Sequence, residues 1–412
     1  MHIKHRLIWV LNSLVLIFFI MTSQAATVEI SAEFKPSAAE PDKNSFTDTT
    51  VHSGFCKTYP TACPAGTFSI MTDLSVENKT LSHSSPDNRD HTYQKANSRW
   101  QYVMLTDHET GKSIVVQFRI VLLAQRYART RNSFNSSDFN LAGRAPEGGC
   151  TGTTAYMTSQ NYEFAWLHPA EISTCYKTVK NIDYNDVKIE RISVGYEMKS
   201  LSPLTMPNGS FKGGYGYTVG KGMDIDFGEG TYSDDTLQVN ISAEIQHDFK
   251  VSIQGSNSVE LSPPGGWRSW SASNNAQFRL EGTGQVNMTA SSPVSITAYC
   301  THEQLKSCAL KREGGDETVA VDIDFSMPGM HERKSKEPVT RIAIPITTPT
   351  TPGLILVPDS YVNGAIGQVN FSVNEIESLK MAKHLGSTWK GSATLVFDAD
   401  LPFSPDAAGG RK

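Results

Sequence analysis

The residues best placed to do chemistry are acidic and lie in one glycine-rich segment. The stretch GMDIDFGEG sets Asp224, Asp226 and Glu229 beside glycines, the residue types of a calcium-binding loop. The spacing departs from an EF-hand, because Gly228 stands at the third acidic position and no helical pattern flanks the segment. We therefore predict a turn here, with no metal site and no cofactor.

Catalytic motifs are absent from the sequence. It contains no HExxH, GxSxG, P-loop or dinucleotide fingerprint. His247 and Asp248 are adjacent in a strand-like stretch, where neighbouring side chains point to opposite faces and cannot act on one substrate. We predict that the protein is not an enzyme. A secreted carbohydrate-active enzyme, marked by paired carboxylates in an open cleft, is the alternative.

Aromatic residues around the long polar stretch from 129 to 162 indicate a binding site. The stretch is too long for a simple hairpin connection, and long loops on a β scaffold often carry binding residues. Polar loop residues could hydrogen-bond sugar hydroxyls while an aromatic ring stacks on a sugar. We predict receptor contacts from Trp100, Arg144, Tyr156 and Tyr162, and we interpret Trp166 as a core residue.

The six cysteines form three local pairs. The pairs are Cys56 with Cys63, Cys150 with Cys175, and Cys300 with Cys308. In an exported chain this proximity favours three sequential disulfides. Zinc binding is disfavoured, because no C-x-x-C and no neighbouring histidine pair occurs.

The first residues have the pattern of a secretory signal peptide, which we assign to 1–25. A basic start precedes an apolar run from Leu7 to Met21, and small residues at Ser23 and Ala25 offer a cleavage site. The net charge is −5 and no basic face is evident, so we expect no nucleic acid partner.

Alternation with a period of two residues dominates the remainder and predicts an all-β protein of antiparallel sandwiches. One stretch, 374–385, has a helical period with Asn374 as its cap. A glycine-rich acidic segment before a new strand at Thr236 predicts a domain boundary. We assign a first domain to 26–232, a second to 234–403, and a disordered tail to 404–412.

The second half resembles the minor pilins and tip adhesins of chaperone–usher fimbriae of the colonisation-factor class. LQVNISAEIQHDFKVSI resembles their first strand, QFRLEGTGQVNMTASSPVSITAYC their middle strands, and LGSTWKGSATLVF their closing turn and strand. The resemblance implies two immunoglobulin-like β-sandwich domains in tandem, the second being a pilin domain that lacks its last strand. The nine residues after Phe403 depart from the family pattern.

This resemblance also implies partners and a function. A groove beside Leu395, Phe397, Ala399 and Leu401 would be filled first by a periplasmic pilus chaperone and then by the adjacent pilin subunit, at an outer-membrane usher. The expected function is a fimbrial tip adhesin that is exported through the periplasm to the cell surface and binds a host glycan or surface receptor. The alternative is a structural or biogenesis-initiating subunit without a receptor.

Overall fold

The computed structural model describes residues 25–130, 133–139, 145–200, 203–268, 279–346 and 353–399. Nearly all of the predicted signal peptide, Arg144, Leu401 and the predicted tail lie outside the described residues. Within those ranges, no helix combines the length and apolar character that a membrane crossing needs.

Strands make up most of the first half, as the alternation predicts. They are β1 (Ala26–Phe34), β2 (Thr47–Asp48), β3 (Ser69–Met71), β4 (Val76–Leu81), β5 (Thr92–Asn97), β6 (Gln101–Thr106), β7 (Ser113–Ala128), β8 (Thr151–Gly152), β9 (Tyr156–Met157), β10 (Asn161–Leu167), β11 (Ile172–Lys177), β12 (Tyr184–Ser200), β13 (Gly209–Thr218), β14 (Ile225–Asp226), β15 (Thr231–Tyr232) and β16 (Thr236–Ile245). A short helix, α1 (Phe55–Thr58), and single 3-10 turns connect some of them.

The second half is also built of strands. They are β17 (Phe249–Gln254), β18 (Leu280–Ala290), β19 (Val294–Cys300), β20 (Glu303–Gln304), β21 (Ser307–Arg312), β22 (Thr318–Ser326), β23 (Met330–Glu332), β24 (Ile342–Ala343), β25 (Leu354–Pro358), β26 (Val362–Val373), β27 (Trp389–Lys390) and β28 (Ala393–Asp398). The helix α2 (Glu375–Ala382) confirms the predicted helical stretch, since the Asn374 side chain accepts a hydrogen bond from the Glu377 amide at 3.0 Å.

The first half forms a 13-stranded sheet with the main order β15-β4-β12-β7-β6-β13-β16-β1-β2. A 3-stranded sheet, β11-β5-β14, contributes Ala96, Cys175 and Ile225 to the same hydrophobic core. The parallel pairing of β1 with β16 joins segments about 200 residues apart in the chain.

The strand β16 lies in the first sheet, although the sequence assigns it to the second domain. It pairs with β13 on one side and β1 on the other, so Leu237, Val239 and Ile241 are buried in the first core. The change from one core to the next therefore falls after Ile245. The predicted boundary at 232–234 would separate β16 from the strands β1 and β13 with which it pairs.

The second half has its own core between two sheets. An 8-stranded sheet has the main order β17-β18-β26-β22-β21-β20, and a 4-stranded sheet has the order β23-β25-β19-β28. Alternate residues of both, such as Val286, Ile296, Phe325 and Leu356, are buried against one another. The described residues thus form an all-β protein with two main hydrophobic cores. A smaller cluster joins α1 and the Cys56–Cys63 loop to β7 and β10, and it contains Phe55, Cys56, Ala62, Val121, Leu122, Ala124 and Ala165.

His247 and Asp248 lie where the two halves meet. The Nε2 atom of His247 donates to the Met206 carbonyl at 2.8 Å, and its Nδ1 atom lies 3.0 Å from the Ser291 hydroxyl. Burial lowers the pKa of this imidazole. Tyr361 donates its hydroxyl to Asp248 at 2.8 Å and its backbone amide to the Pro41 carbonyl at 2.8 Å, so His247 and Tyr361 join the two halves.

All three predicted disulfides are present, which confirms the sequential pairing. Cys150 and Cys175 lie beside His168, with the three ligand-type atoms within 4.8 Å of one another. The two sulfurs are bonded to each other, so this cluster offers no thiolate to a metal. Burial lowers the pKa of His168 to about 3, which keeps its ring neutral.

The acidic segment consists of turns around the short strand β14 (Ile225–Asp226), and it packs inside the first half instead of separating two domains. Asp226 is fully buried and forms an ion pair with Arg89, which also binds Glu229 at 3.2 Å. The Asp226 carboxylate also accepts hydrogen bonds from the backbone amides of Gly222 and Gly228 and from the hydroxyl of Tyr232. Lys79 lies beneath them and donates to the Arg89 carbonyl at 2.6 Å; burial lowers the pKa of Lys79 to about 8.

Candidate functional site

An apolar groove opens between the two sheets of the second half. Its volume is about 450 Å³, and β17 and β28 form its two sides. Side chains from both sheets line it, including Val251, Val286, Val369, Phe371, Leu395 and Phe397. Phe397 also packs against Phe325, with ring centroids 6.0 Å apart.

Both sides of the groove are sheet edges. Among the described residues, β17 pairs only with β18, and β28 pairs only with β19. Each strand therefore presents backbone N–H and C=O groups that are not used by its own sheet. A strand lying in the groove could pair with these groups while its alternate side chains fill the apolar interior.

A comparison of side-chain burial in β16 and β28 shows the effect of the open edge. In β16, which has neighbours on both sides, every second side chain is fully buried. In β28 the corresponding side chains, Ala393, Leu395 and Phe397, are only partly buried. Their exposed apolar surface would be removed from water by one more strand, at roughly 25 cal/mol per Å².

The structure describes three of the four predicted groove residues, and their contact with a donor strand stays a prediction. Leu395 and Phe397 line the groove, and Ala399 packs against the second core. Leu401 lies outside the described residues.

The predicted receptor-binding residues do not form one cluster. Tyr162 is 2% exposed and packs against Phe139 in the first core, so it cannot contact a receptor at the surface. Trp100 lies against two cations, with Lys199 Nζ 4.5 Å and Arg119 Cζ 5.2 Å from the ring centroid.

Tyr156 lies elsewhere and is half-buried. Its ring stacks on Tyr59 with centroids 3.7 Å apart and 11° between the planes. Trp166 is buried in the first core, as its interpretation as a core residue requires.

Several residues that surround Tyr156 were not predicted from the sequence. Glu163 is the cross-strand neighbour of Tyr156 and accepts hydrogen bonds from Tyr59 at 3.3 Å and from Arg191 at 3.2 Å. The position of Tyr59 inside the Cys56–Cys63 loop was the available signal, because a disulfide holds a short loop in place. Nothing local in the sequence links Glu163 to Arg191.

Solved structures of fimbrial adhesins are similar to this chain over most of its length. The first comes from a study of the chaperone–tip adhesin complex in CFA/I fimbriae biogenesis, with 12% identity, 92% of this chain and 97% of that chain covered, and a TM-score of 0.25. The second is CfaE, the adhesive subunit of CFA/I fimbria of enterotoxigenic Escherichia coli, with 10% identity, 92% and 94% coverage, and a TM-score of 0.23.

The third is the CsuC–CsuE chaperone–tip adhesion subunit pre-assembly complex of Acinetobacter baumannii, with 10% identity, 91% and 98% coverage, and a TM-score of 0.21. TM-scores this low establish no function for the chain. No protein-family model matches it, and no curated protein is similar to it in sequence.

Proposed function

We propose that this protein is a fimbrial tip adhesin whose second half accepts a donor strand from another chain. The observation that carries the proposal is the apolar groove between β17 and β28, which is open at two sheet edges. An extended peptide can add to such edges through its backbone, while its alternate side chains enter the groove.

The proteins that would occupy the groove follow from the need to cover its apolar surface throughout export and assembly. A long apolar edge aggregates if it is left exposed. A periplasmic pilus chaperone would fill the groove after export, and the adjacent pilin subunit would replace it at the outer-membrane usher. The fimbrium tip is the proposed final location.

The first half would carry the receptor-binding function. It has its own core, and β16 has neighbours on both edges, so it needs no strand from another chain. The proposed receptor is a host glycan or surface protein. The boundary between the two functional parts is placed after Ile245.

We propose no catalytic role. The carboxylates of Glu163 and Asp226 are buried and each is paired with an arginine, so neither is presented to a substrate in an open cleft. A structural or biogenesis-initiating subunit would share the groove and differ only in lacking a receptor.

Fusion of a donor strand to the full chain tests the proposal. We append an alternating apolar peptide of about nine residues after Phe403 through a flexible linker, and measure thermal unfolding and oligomeric state. Burial of about four apolar side chains at 1.5–3 kcal/mol each should raise the melting temperature of the second half by roughly 10 °C or more. The matched control carries aspartates at the inward positions of the same peptide.

Three results would count against the proposal. They are a chain that is already monomeric with a sharp transition for its second half, a melting temperature that fusion leaves unchanged, and an equal gain from the aspartate-bearing control.

A further inference from the structure

A row of polar and aromatic side chains crosses the face of the first sheet on which α1 packs, away from the groove. Tyr156 on β9 pairs with Glu163 on β10, Glu163 pairs with Arg126 on β7, and Arg126 pairs with Glu190 on β12. Neighbouring strands lie about 4.8 Å apart, so these groups follow one another at regular spacing. Arg126 and Glu190 also form an ion pair.

Two stacked tyrosines form one end of the row. Tyr59 comes from the loop closed by the Cys56–Cys63 disulfide and lies on Tyr156. Its hydroxyl donates to Glu163 at 3.3 Å. Both rings are only partly buried, so the pair offers an aromatic surface held by a disulfide and a hydrogen bond.

Arg191 is held in a fixed orientation beside this pair. It lies in a β-bulge of β12 with φ 50°, a left-handed conformation that is unfavourable for a residue with a side chain. Its Nε donates to Glu163 at 3.2 Å and its Nη2 to Thr58 at 3.3 Å. Among the described residues Nη1 has no hydrogen-bond partner, and 32% of the side chain is exposed.

We infer that Tyr59, Tyr156 and Arg191, positioned by the buried carboxylate of Glu163, form the binding site for an uncharged oligosaccharide. This inference rests on the proposed adhesin function and names the site and the class of its ligand. A sugar ring can stack on the tyrosine pair, while its hydroxyls accept from the Arg191 guanidinium and donate to the part-exposed Glu190 carboxylate. Hydrogen bonds to charged groups are roughly twice as strong as neutral ones.

The balance of charge favours an uncharged ligand over an anionic one. Arg191 is paired with Glu163, and Arg126 is paired with Glu190. The two positive and two negative charges cancel, so an acidic sugar gains no net attraction. A hydroxyl group, which both donates and accepts, matches the alternating groups.

The site also lies toward the end of the sheet farthest from the second half. The strand β16 runs toward the joint, which is the connection to the second half after Ile245. The strand β13 is antiparallel to β16, β6 is antiparallel to β13, and β7 is antiparallel to β6. The strand β7 therefore runs away from the joint for 16 residues, about 50 Å, and Arg126 is near its far end. A site there can reach a host surface while the second half is bound to the fibre.

The test uses the full chain with its fused donor strand and an array of uncharged oligosaccharides, beside the same oligosaccharides ending in a carboxylated sugar. We expect Tyr156→Ala and Arg191→Gln each to weaken binding of uncharged oligosaccharides at least tenfold. Tyr102→Ala is the first matched control, since Tyr102 is 71% exposed on β6. Arg341→Gln is the second, because Arg341 also has positive φ, at 51°, and is paired with Asp324. Both controls should bind as the parent does.

Thermal unfolding of each variant is also measured, so that a loss of folding is distinguished from a loss of contact with the oligosaccharide. Thr58→Val, which removes the hydroxyl that accepts from Arg191 and donates to the Gly54 carbonyl, should weaken binding less than Arg191→Gln. Binding only to the carboxylated sugars, binding unaffected by Tyr156→Ala and Arg191→Gln, or no binding by the parent would each overturn the inference. If the donor strand raises the melting temperature by the same amount in such a case, the proposal that the groove accepts a donor strand is unaffected.

Discussion

Leu395→Asp is expected to abolish the stabilisation that a fused donor strand gives to the second half. The Leu395 side chain lines the groove. A donor strand would bury an aspartate there without a partner, which removes 1.5–3 kcal/mol of apolar burial and adds a charge penalty of several kcal/mol. Thermal unfolding of the fused and unfused forms measures the difference.

Val396→Asp is the matched control on the neighbouring position of the same strand. Val396 is 40% exposed and points away from the groove, so its replacement should change the gain from fusion by less than about 1 kcal/mol. Equal losses from Leu395→Asp and Val396→Asp would show that the strand is sensitive to charge in general, and that the groove is not where the donor lies.

Arg89→Ala should destabilise the first half by about 3–5 kcal/mol, because it leaves the fully buried carboxylate of Asp226 without its ion-pair partner. Chemical denaturation followed by a probe of the first half measures this change. Lys188→Ala is the control, since Lys188 and Glu77 form an exposed pair whose loss costs about 0–1 kcal/mol. A loss of less than about 1 kcal/mol for Arg89→Ala would contradict the role assigned to this network.

Features governed by local sequence were predicted well. Alternation predicted an all-β protein, and the three cysteine pairs formed as their proximity indicated. Asn374 caps α2 because a cap needs only the residue and the first turn that follows it.

Long-range pairing was beyond the sequence. Nothing local shows that β16 pairs with β1, and that pairing places β16 in the first core. The acidic segment was interpreted as a boundary because it is glycine-rich and precedes a new strand, yet Arg89, far away in the chain, makes the burial of Asp226 tolerable.

The burial of Tyr162 could have been predicted from the period-two pattern of its strand. It shares its face of β10 with Phe164 and Trp166, and Trp166 was already interpreted as a core residue. Tyr156, predicted from the same loop, lies half-exposed because it belongs to β9 and faces the other side of the sheet.

Hydrogen–deuterium exchange of the full chain, with and without the fused donor strand, tests the groove most directly. The peptides to compare cover β17 (Phe249–Gln254) and β28 (Ala393–Asp398), and peptides within β26 (Val362–Val373), which already has neighbours on both sides, serve as the internal reference. We predict that the donor strand slows exchange in both edge strands and leaves β26 little changed, since new backbone hydrogen bonds form only at the edges. Unchanged exchange in β17 and β28 would contradict strand addition in the groove, and with it the proposed function.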